Sequence, residues 1–146
     1  MTTRIDLAAA PGHLIRRAHQ ISVALFAEHL ATADVTPVQF GILSAVQDAP
    51  GIDQISLAKR VAFDAATSGS VIGRLEAKGW LRREPDVADR RRKLLVVTPA
   101  GTQALQGMQQ AVAQVQAQIL SPLTPPEQAQ FVGLLARLVQ GHEATD

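Results

Sequence analysis

A charged loop lies near the middle of the chain, where two aspartates precede four consecutive basic residues, Arg90 to Lys93. An aspartate inside such a run can hold one guanidinium in a fixed pose while a neighbouring arginine stays free. A free arginine at the tip of a β-ribbon suits the minor groove of DNA, where the potential is most negative. We therefore expect Asp89 to orient arginine and Arg91 to enter a minor groove. Arg90 and Arg92 are further candidate DNA contacts, unless the loop is only a charged tip that keeps the surface solvated.

A second group of candidate residues is small and polar and lies in segment 65–78, which has the pattern of a helix. Small side chains let a helix backbone approach the floor of a groove, and hydroxyls can bond phosphates or base edges. The alternative is that these small residues only permit tight helix packing. The candidate major-groove residues are Thr67, Ser68, Ser70 and Arg74, and the candidate phosphate contacts are Lys59, Arg60 and Lys78.

The charge distribution agrees with a polyanionic partner better than the net charge of +1 does. Segment 59–93 holds ten basic and five acidic residues, a net charge of +5, whereas four basic and eight acidic residues give −4 elsewhere. A basic middle between acidic flanks is the electrostatic pattern of a nucleic-acid-binding protein. The alternative is a solvated face on which the Lys and Arg residues are incidental.

The composition excludes several other classes of protein. The 146-residue chain has no cysteine, so disulfides, thiol redox chemistry and cysteine-based metal sites are excluded. Its four histidines form no metal-ligand pattern, and Gly69–Gly73 does not fit a nucleophile elbow. We expect no enzyme activity, cofactor or metal. No signal peptide or membrane-spanning run is visible, which predicts a cytoplasmic protein.

Helix starts and turn residues divide the middle of the chain into short elements. Thr36-Pro37 with Gln39 forms a capping-box pattern, and Asp53 and Asp64 are candidate caps for helices 54–62 and 65–78. Gly79 ends the second of these helices, and strands 81–84 and 93–97 flank the charged loop. This order predicts a mainly α fold with a small β-hairpin, namely a winged helix-turn-helix. The residues expected to face inward from helix 54–62 are Ile55, Leu57, Ala58 and Val61.

The ends of the chain predict long helices, 11–31, 99–120 and 125–140, the last two starting at Thr98-Pro99 and Thr124-Pro125. Their apolar faces are wider than a small winged helix needs, so we expect them to pair with those of a second copy. A symmetric homodimer also suits two half-sites on DNA. The alternative is a monomer whose terminal helices fold back on their own domain.

Segment 53–101 resembles the MarR family of bacterial transcriptional regulators. The resemblance rests on Arg-Leu-Glu-Ala-Lys-Gly-Trp-Leu at 74–81, on the wing from Asp89 to Gly101, and on their spacing. The order of the other helices extends the resemblance over nearly the whole chain. One departure is Ser70, where many members have an arginine. Base readout is therefore expected to depend less on arginine and more on DNA shape.

The resemblance implies a homodimeric repressor that binds a pseudo-palindromic double-stranded DNA operator and is released by a small ligand. Residues 1–146 would then form one MarR-type domain, with dimerisation helices at 11–31 and 99–141 and a DNA-binding lobe at 36–98. A regulator without an effector, an activator, and a winged helix that binds only protein are the alternatives. An enzyme built on a helical dimer is a further one.

The effector implied by the resemblance is a small aromatic acid or its coenzyme A thioester. The run Arg16-Arg17-Ala18-His19-Gln20 resembles regulators of hydroxybenzoate and hydroxycinnamate breakdown. Arg16 and Arg17 can hold a carboxylate in a bidentate fork, and His19 or Gln20 can bond a phenolic hydroxyl. The alternative is that the arginines pair with acids across a dimer and that His19 is a surface residue.

Overall fold

The computed structural model describes residues 3–63 and 65–143, with Ala65 described by its backbone alone. Most of this part of the chain is helical, and a small antiparallel sheet has the strand order β1-β3-β2, so the predicted fold class is confirmed. The helices are α1 (Pro11–His29), α2 (Pro37–Asp48), α3 (Gln54–Arg60), α4 (Ala65–Ala77), α5 (Pro99–Leu120) and α6 (Pro125–Glu143), and the strands are β1 (Ile52–Asp53), β2 (Leu81–Pro85) and β3 (Lys93–Val97).

The chain divides into two compact units. A terminal unit comprises Met1–Leu25 with Ala113–Asp146, and a central unit comprises Phe26–Val112. The central unit contains α2 to α4 and the sheet. The dimerisation role of helices 11–31 and 99–141 and the DNA-binding role of segment 36–98 stay predictions.

Side-chain caps start the helices of the central unit where the sequence predicts. Thr36 accepts a hydrogen bond from the Gln39 backbone, and the Gln39 side chain accepts one from the Thr36 backbone, which completes the capping box. Asp53 caps α3 by accepting from the Ser56 backbone. The predicted cap of α4, Asp64, lies outside the described residues.

The core of the central unit is built from the apolar faces of α2, α3, α4 and β3. Its fully buried apolar side chains are Ile42, Leu43, Val46, Leu57, Ile72, Leu75 and Leu95. One inward prediction is wrong, because the side chain of Ile55 is 71% exposed. Ile55 lies in the first turn of the seven-residue α3 and faces away from the fully buried Leu57, which is two residues further along the helix.

The wing is the β2–β3 hairpin, in which Leu81 pairs with Val97 and Arg83 with Leu95. Gly79 has a φ of 79° and ends α4 just before β2, as predicted, because glycine adopts this left-handed conformation without a steric penalty. The sequence did not predict β1, which pairs Ile52 with Leu95. A strand of two residues is too short to show an alternating pattern.

Helices α1 and α6 contribute the long apolar faces of the terminal unit. Helix α6 starts at Thr124, whose side chain and backbone exchange hydrogen bonds with Glu127. Its apolar side chains are substantially exposed in the single chain, and so are several on α1. The exposed apolar residues of these two helices are Leu14, Ile15, Ile21, Val23, Phe131, Val132, Leu134, Leu135, Leu138 and Val139.

Candidate nucleic-acid interface

Helix α4 has a buried side and an exposed side. Ser68 lies on the buried side, which corrects its prediction as a major-groove contact. Ser68, Ile72 and Leu75 follow each other at spacings of four and three, and all three are 0% exposed. Ser68 therefore belongs to the inward stripe of the helix, and its side chain is not available to a DNA groove. Its hydroxyl Oγ is buried without a hydrogen-bond partner. A serine gives no sign in the sequence that it occupies a core position.

The other side of α4 carries Thr67, Ser70 and Arg74, which follow each other at spacings of three and four. All three side chains are exposed. Residues with this spacing lie on one face of a helix, so their polar groups form a continuous strip. The fold thus separates these three residues from Ser68, which the sequence predicts beside them.

Of the predicted phosphate contacts, Lys59 and Arg60 are exposed at the end of α3. Lys78 has partners within the central unit that the sequence did not predict, and its contact with phosphate stays a prediction. Its ammonium donates to the backbone carbonyl of Asp34 and to Oε1 of Gln39, the latter at 3.2 Å. It also lies 4.7 Å from the ring centroid of Trp80. These partners belong to other elements, one of them 44 residues away along the chain.

The tip of the wing is closed by its own hydrogen bonds and presents arginine to solvent. The Asp89 carboxylate accepts from the Arg91 backbone at 3.0 Å and from the Arg91 Nε at 3.4 Å. The Arg91 side chain is 93% exposed, and Arg90 is exposed beside it. The geometry agrees with the orienting role expected of Asp89, and the contact of Arg91 with DNA stays a prediction.

Arg92 has a different environment from its two neighbours. Its Nη2 donates to Oδ2 of Asp53 at 2.9 Å, and its Nη1 lies 3.6 Å from Oδ2 of Asp86. Hydrogen bonds from Ser56, followed by Arg92, lower the pKa of Asp53 from 3.8 to about 2. The sequence gives no indication of this pair, since Asp53 and Arg92 are 39 residues apart.

Arg83, which is not among the predicted DNA contacts, lies between the wing and α4. Its Nε lies 2.8 Å from Oε1 of Glu76, an ion-pair contact without hydrogen-bond geometry, and its Nη2 donates to the carbonyl oxygen of Gly69 at 3.4 Å. Both partners lie on α4, whereas Arg83 lies on β2. The strand that leads to the wing tip is therefore tied directly to the helix that carries Thr67, Ser70 and Arg74.

The predicted ligand residues lie together on α1, in the terminal unit. Arg17 donates to Oε1 of Gln20 at 2.7 Å, and Arg16 Nη2 lies 3.5 Å from His13 Nδ1. The side chains of Arg16, Arg17, His19 and Gln20 are all exposed in the single chain. Their role in ligand binding stays a prediction.

A separate depression of about 490 Å³ lies in the central unit, lined by residues of α1, α2, α4 and the α1–α2 connection that include Leu30, Asp34, Gln39, Arg74 and Lys78. The parts of the chain that the structure describes hold no cluster of three or more His, Asp or Glu side chains placed to bind a metal. Within the same residues, no helix is both long and apolar enough to cross a membrane.

The sequence model of the MarR family matches residues 33–92, which include α2 to α4 and the wing tip. The multiple antibiotic resistance protein MarR of Escherichia coli is 30% identical over 88% of this chain and 90% of its own length. The chain belongs to the MarR family.

Several solved structures share the fold of almost the whole chain. PcaV from Streptomyces coelicolor, in complex with its natural ligand, is 33% identical with a TM-score of 0.88, over 95% of this chain and 98% of its own. BpsR from Bordetella bronchiseptica, whose DNA binding is regulated by 6-hydroxynicotinic acid, is 32% identical with a TM-score of 0.88, over 94% and 98%. A serine variant of E. coli MarR bound to operator DNA is 28% identical with a TM-score of 0.85, over 94% and 99%.

Proposed function

We propose that this MarR-family regulator is a homodimeric repressor that binds a pseudo-palindromic DNA operator in the cytoplasm and is released by a small aromatic acid or its coenzyme A thioester. The DNA-binding part of this proposal rests on one observation: two polar surfaces of the central unit are both exposed to solvent. One is the α4 strip of Thr67, Ser70 and Arg74, and the other is the wing tip with Arg90 and Arg91. The complex of E. coli MarR with operator DNA supports the assignment.

The two surfaces suit different parts of a DNA duplex. The hydroxyls of Thr67 and Ser70 and the guanidinium of Arg74 can bond base edges or phosphates in a major groove. Arg91 is exposed at the tip of the ribbon with Arg90 beside it, a position from which arginine can enter a minor groove. Lys59 and Arg60 remain the candidate phosphate contacts on α3. The tie from Arg83 to Glu76 and Gly69 fixes the wing relative to α4, so both surfaces can engage one duplex together.

The homodimer is supported by the apolar faces of α1 and α6. Phe131, Leu135 and Leu138 follow each other at spacings of four and three on α6, and each is at least 40% exposed in the single chain. A stripe of large apolar side chains facing water indicates an interaction surface. A second copy would cover it and would place a second α4 on the same duplex.

The aromatic-acid effector is supported by chemistry on α1 and by one relative. BpsR responds to 6-hydroxynicotinic acid, which carries an aromatic ring and a carboxylate. Arg16 and Arg17 offer two guanidinium groups one residue apart, and Arg17 is already positioned by Gln20. A carboxylate is the partner that a guanidinium fork binds best.

The first experiment selects a duplex from a random DNA pool with the purified protein and measures its affinity at 50–200 mM salt. We expect tight, strongly salt-dependent binding, because phosphate contacts release counterions. Aromatic acids and their thioesters are then screened by thermal shift, and each hit is tested for release of the selected duplex. Failure to enrich any duplex would favour a winged helix that binds protein. Binding without any thermal-shift hit would favour a regulator that has no effector of this class.

A further inference from the structure

We propose that Arg92 is a positioning residue of the wing, which together with Asp53 and Asp86 forms a latch that holds the tip while Arg90 and Arg91 face DNA. These three residues are called the wing latch below. The proposal rests on the DNA-binding function proposed above, and it replaces the expectation that Arg92 is itself a DNA contact.

Two carboxylates dominate the charge around the Arg92 guanidinium. Arg92 lies between two carboxylates, 2.9 Å from Asp53 and 3.6 Å from Asp86. These carboxylates are 16% and 17% exposed, so both are largely sheltered from solvent. One cation shared by two anions has a net charge of −1, which repels a phosphate. Arg91, with one carboxylate at 3.4 Å and 93% exposure, is far more available.

Each carboxylate of the wing latch is itself held in place by hydrogen bonds. Asp53 caps α3 through Ser56, whose backbone and hydroxyl donate to it at 2.9 and 2.7 Å. Asp86 accepts from the Ala88 backbone at 2.9 Å. Arg92 therefore joins the start of α3 to the wing loop through two anchored groups.

The backbone of Arg92 closes the wing loop with two hydrogen bonds. Its backbone carbonyl accepts from Asp86 and its backbone N–H donates to Asp89, at 3.1 and 3.0 Å. These bonds close the loop at the residue whose side chain is tied to α3. Arg90 and Arg91 lie inside the closed loop, so fixing Arg92 restricts the directions in which they can project. An exposed ion pair alone would contribute little, but here it is combined with a cap and a closed turn.

The test measures whether Asp53→Asn weakens or tightens DNA binding. Asparagine keeps a capping oxygen for α3 and removes the negative charge that holds Arg92. If Arg92 were a phosphate contact, this change would free it and remove a like charge near DNA, so binding would tighten. The wing latch predicts the opposite, roughly tenfold weaker binding of the selected duplex, a typical size for one lost groove contact. Asp48→Asn is the matched control, since it removes the same charge at the end of α2, and its affinity should equal or exceed wild type.

Two further measurements complete the test. Arg92→Ala should weaken binding at least as much as Asp53→Asn does, because it removes the contacts with both Asp53 and Asp86. The double variant should be no weaker than Arg92→Ala, because the Asp53 contact is already lost in that variant. Hydrogen exchange of segment 85–93 without DNA should be faster in Asp53→Asn and unchanged in Asp48→Asn.

Several outcomes would overturn the wing latch. They are tighter binding by Asp53→Asn, wild-type affinity in Arg92→Ala, additive losses in the double variant, or unchanged exchange in segment 85–93. If the wild-type protein binds no duplex, the proposed function fails by itself, and the exchange measurement still decides whether the wing latch orders the loop. Thermal melting of each variant shows that it is folded.

Discussion

At the scale of single residues, neighbouring side chains of one type have different surroundings in the folded chain. Arg91 and Arg92 are adjacent in the sequence, yet one is almost fully exposed and the other is shared by two carboxylates. Ser68 and Ser70 differ in the same way, since one is buried and the other is exposed. Composition and charge runs identify the region of the interface, and burial and ion pairing decide which residues can act in it.

Replacement of Arg91 by Ala is expected to weaken binding of the selected duplex by about 1–3 kcal/mol, the range for one direct groove contact. The salt dependence should also become shallower, because one fewer cation approaches the phosphates. A fluorescence-anisotropy titration at several salt concentrations measures both quantities. Arg137→Ala removes the same charge from α6 and should leave both unchanged. Wild-type affinity in Arg91→Ala would exclude the minor-groove role of this residue.

The lowered pKa of Asp53 predicts how its contribution to stability depends on pH. Because the pKa falls from 3.8 to about 2 on folding, the contribution is complete above the unfolded value and is lost as the pH falls from about 4 to about 2. Wild type should therefore be more stable than Asp53→Asn at pH 7, and the difference should shrink at pH 3. Urea unfolding of both proteins at pH 7, 5 and 3 measures this. A difference that is equal at pH 7 and pH 3 would contradict the ionic role of Asp53.

At the scale of elements, one glycine allows the start of α5 to pack closely against the junction between α4 and β2. Thr98 caps α5 by accepting from the Gly101 backbone, and its hydroxyl donates to the carbonyl of Gly79. A Cβ added at Gly101 would lie 2.2 Å from the Trp80 carbonyl oxygen and 2.7 Å from Val97 Cγ1. The start of α5 can therefore pack against the α4–β2 junction only with a glycine at this position.

Gly101→Ala is expected to destabilise the protein by about 1–3 kcal/mol, because the added methyl group meets backbone that cannot move independently. Gly107→Ala is the control on the same helix, where an added Cβ meets nothing within 4 Å. Alanine in a helix interior is favoured over glycine, so this control should be neutral or stabilising by up to about 1 kcal/mol. Urea unfolding midpoints compare the two variants. Equal stabilities would show that the junction can open to accept a side chain.

At the scale of the whole molecule, the two units have different surfaces. The central unit has a closed apolar core and a polar, basic exterior around α4 and the wing. The terminal unit has large apolar side chains exposed along α1 and α6. This contrast supports a division in which one unit binds DNA and the other binds a second copy.

Leu135→Glu is expected to shift the protein from dimer to monomer, since a buried unpaired carboxylate opposes association. Gln140→Glu is the matched control on α6, because residue 140 shares its side of the helix with Ala136 and Arg137, away from Leu135. Sedimentation equilibrium gives the mass of each variant, and circular dichroism shows whether the helices remain. DNA affinity should fall with the loss of the dimer, since two half-sites are no longer bound together. A dimeric Leu135→Glu variant would place the interface elsewhere.

The sequence by itself determined the helix starts, the ends of the hairpin strands and the fold class, because these depend on signals a few residues long. Thr36 with Gln39, Asp53 with Ser56, and Gly79 all act within three or four positions along the chain. Only the tertiary structure decided the surroundings of Ser68, Lys78 and Arg92. Ser68 is buried because α4 packs by that face, and the partners of Lys78 and Arg92 lie up to 44 and 39 residues away. A local pattern cannot specify such contacts, because they exist only after the folded chain has brought distant elements together.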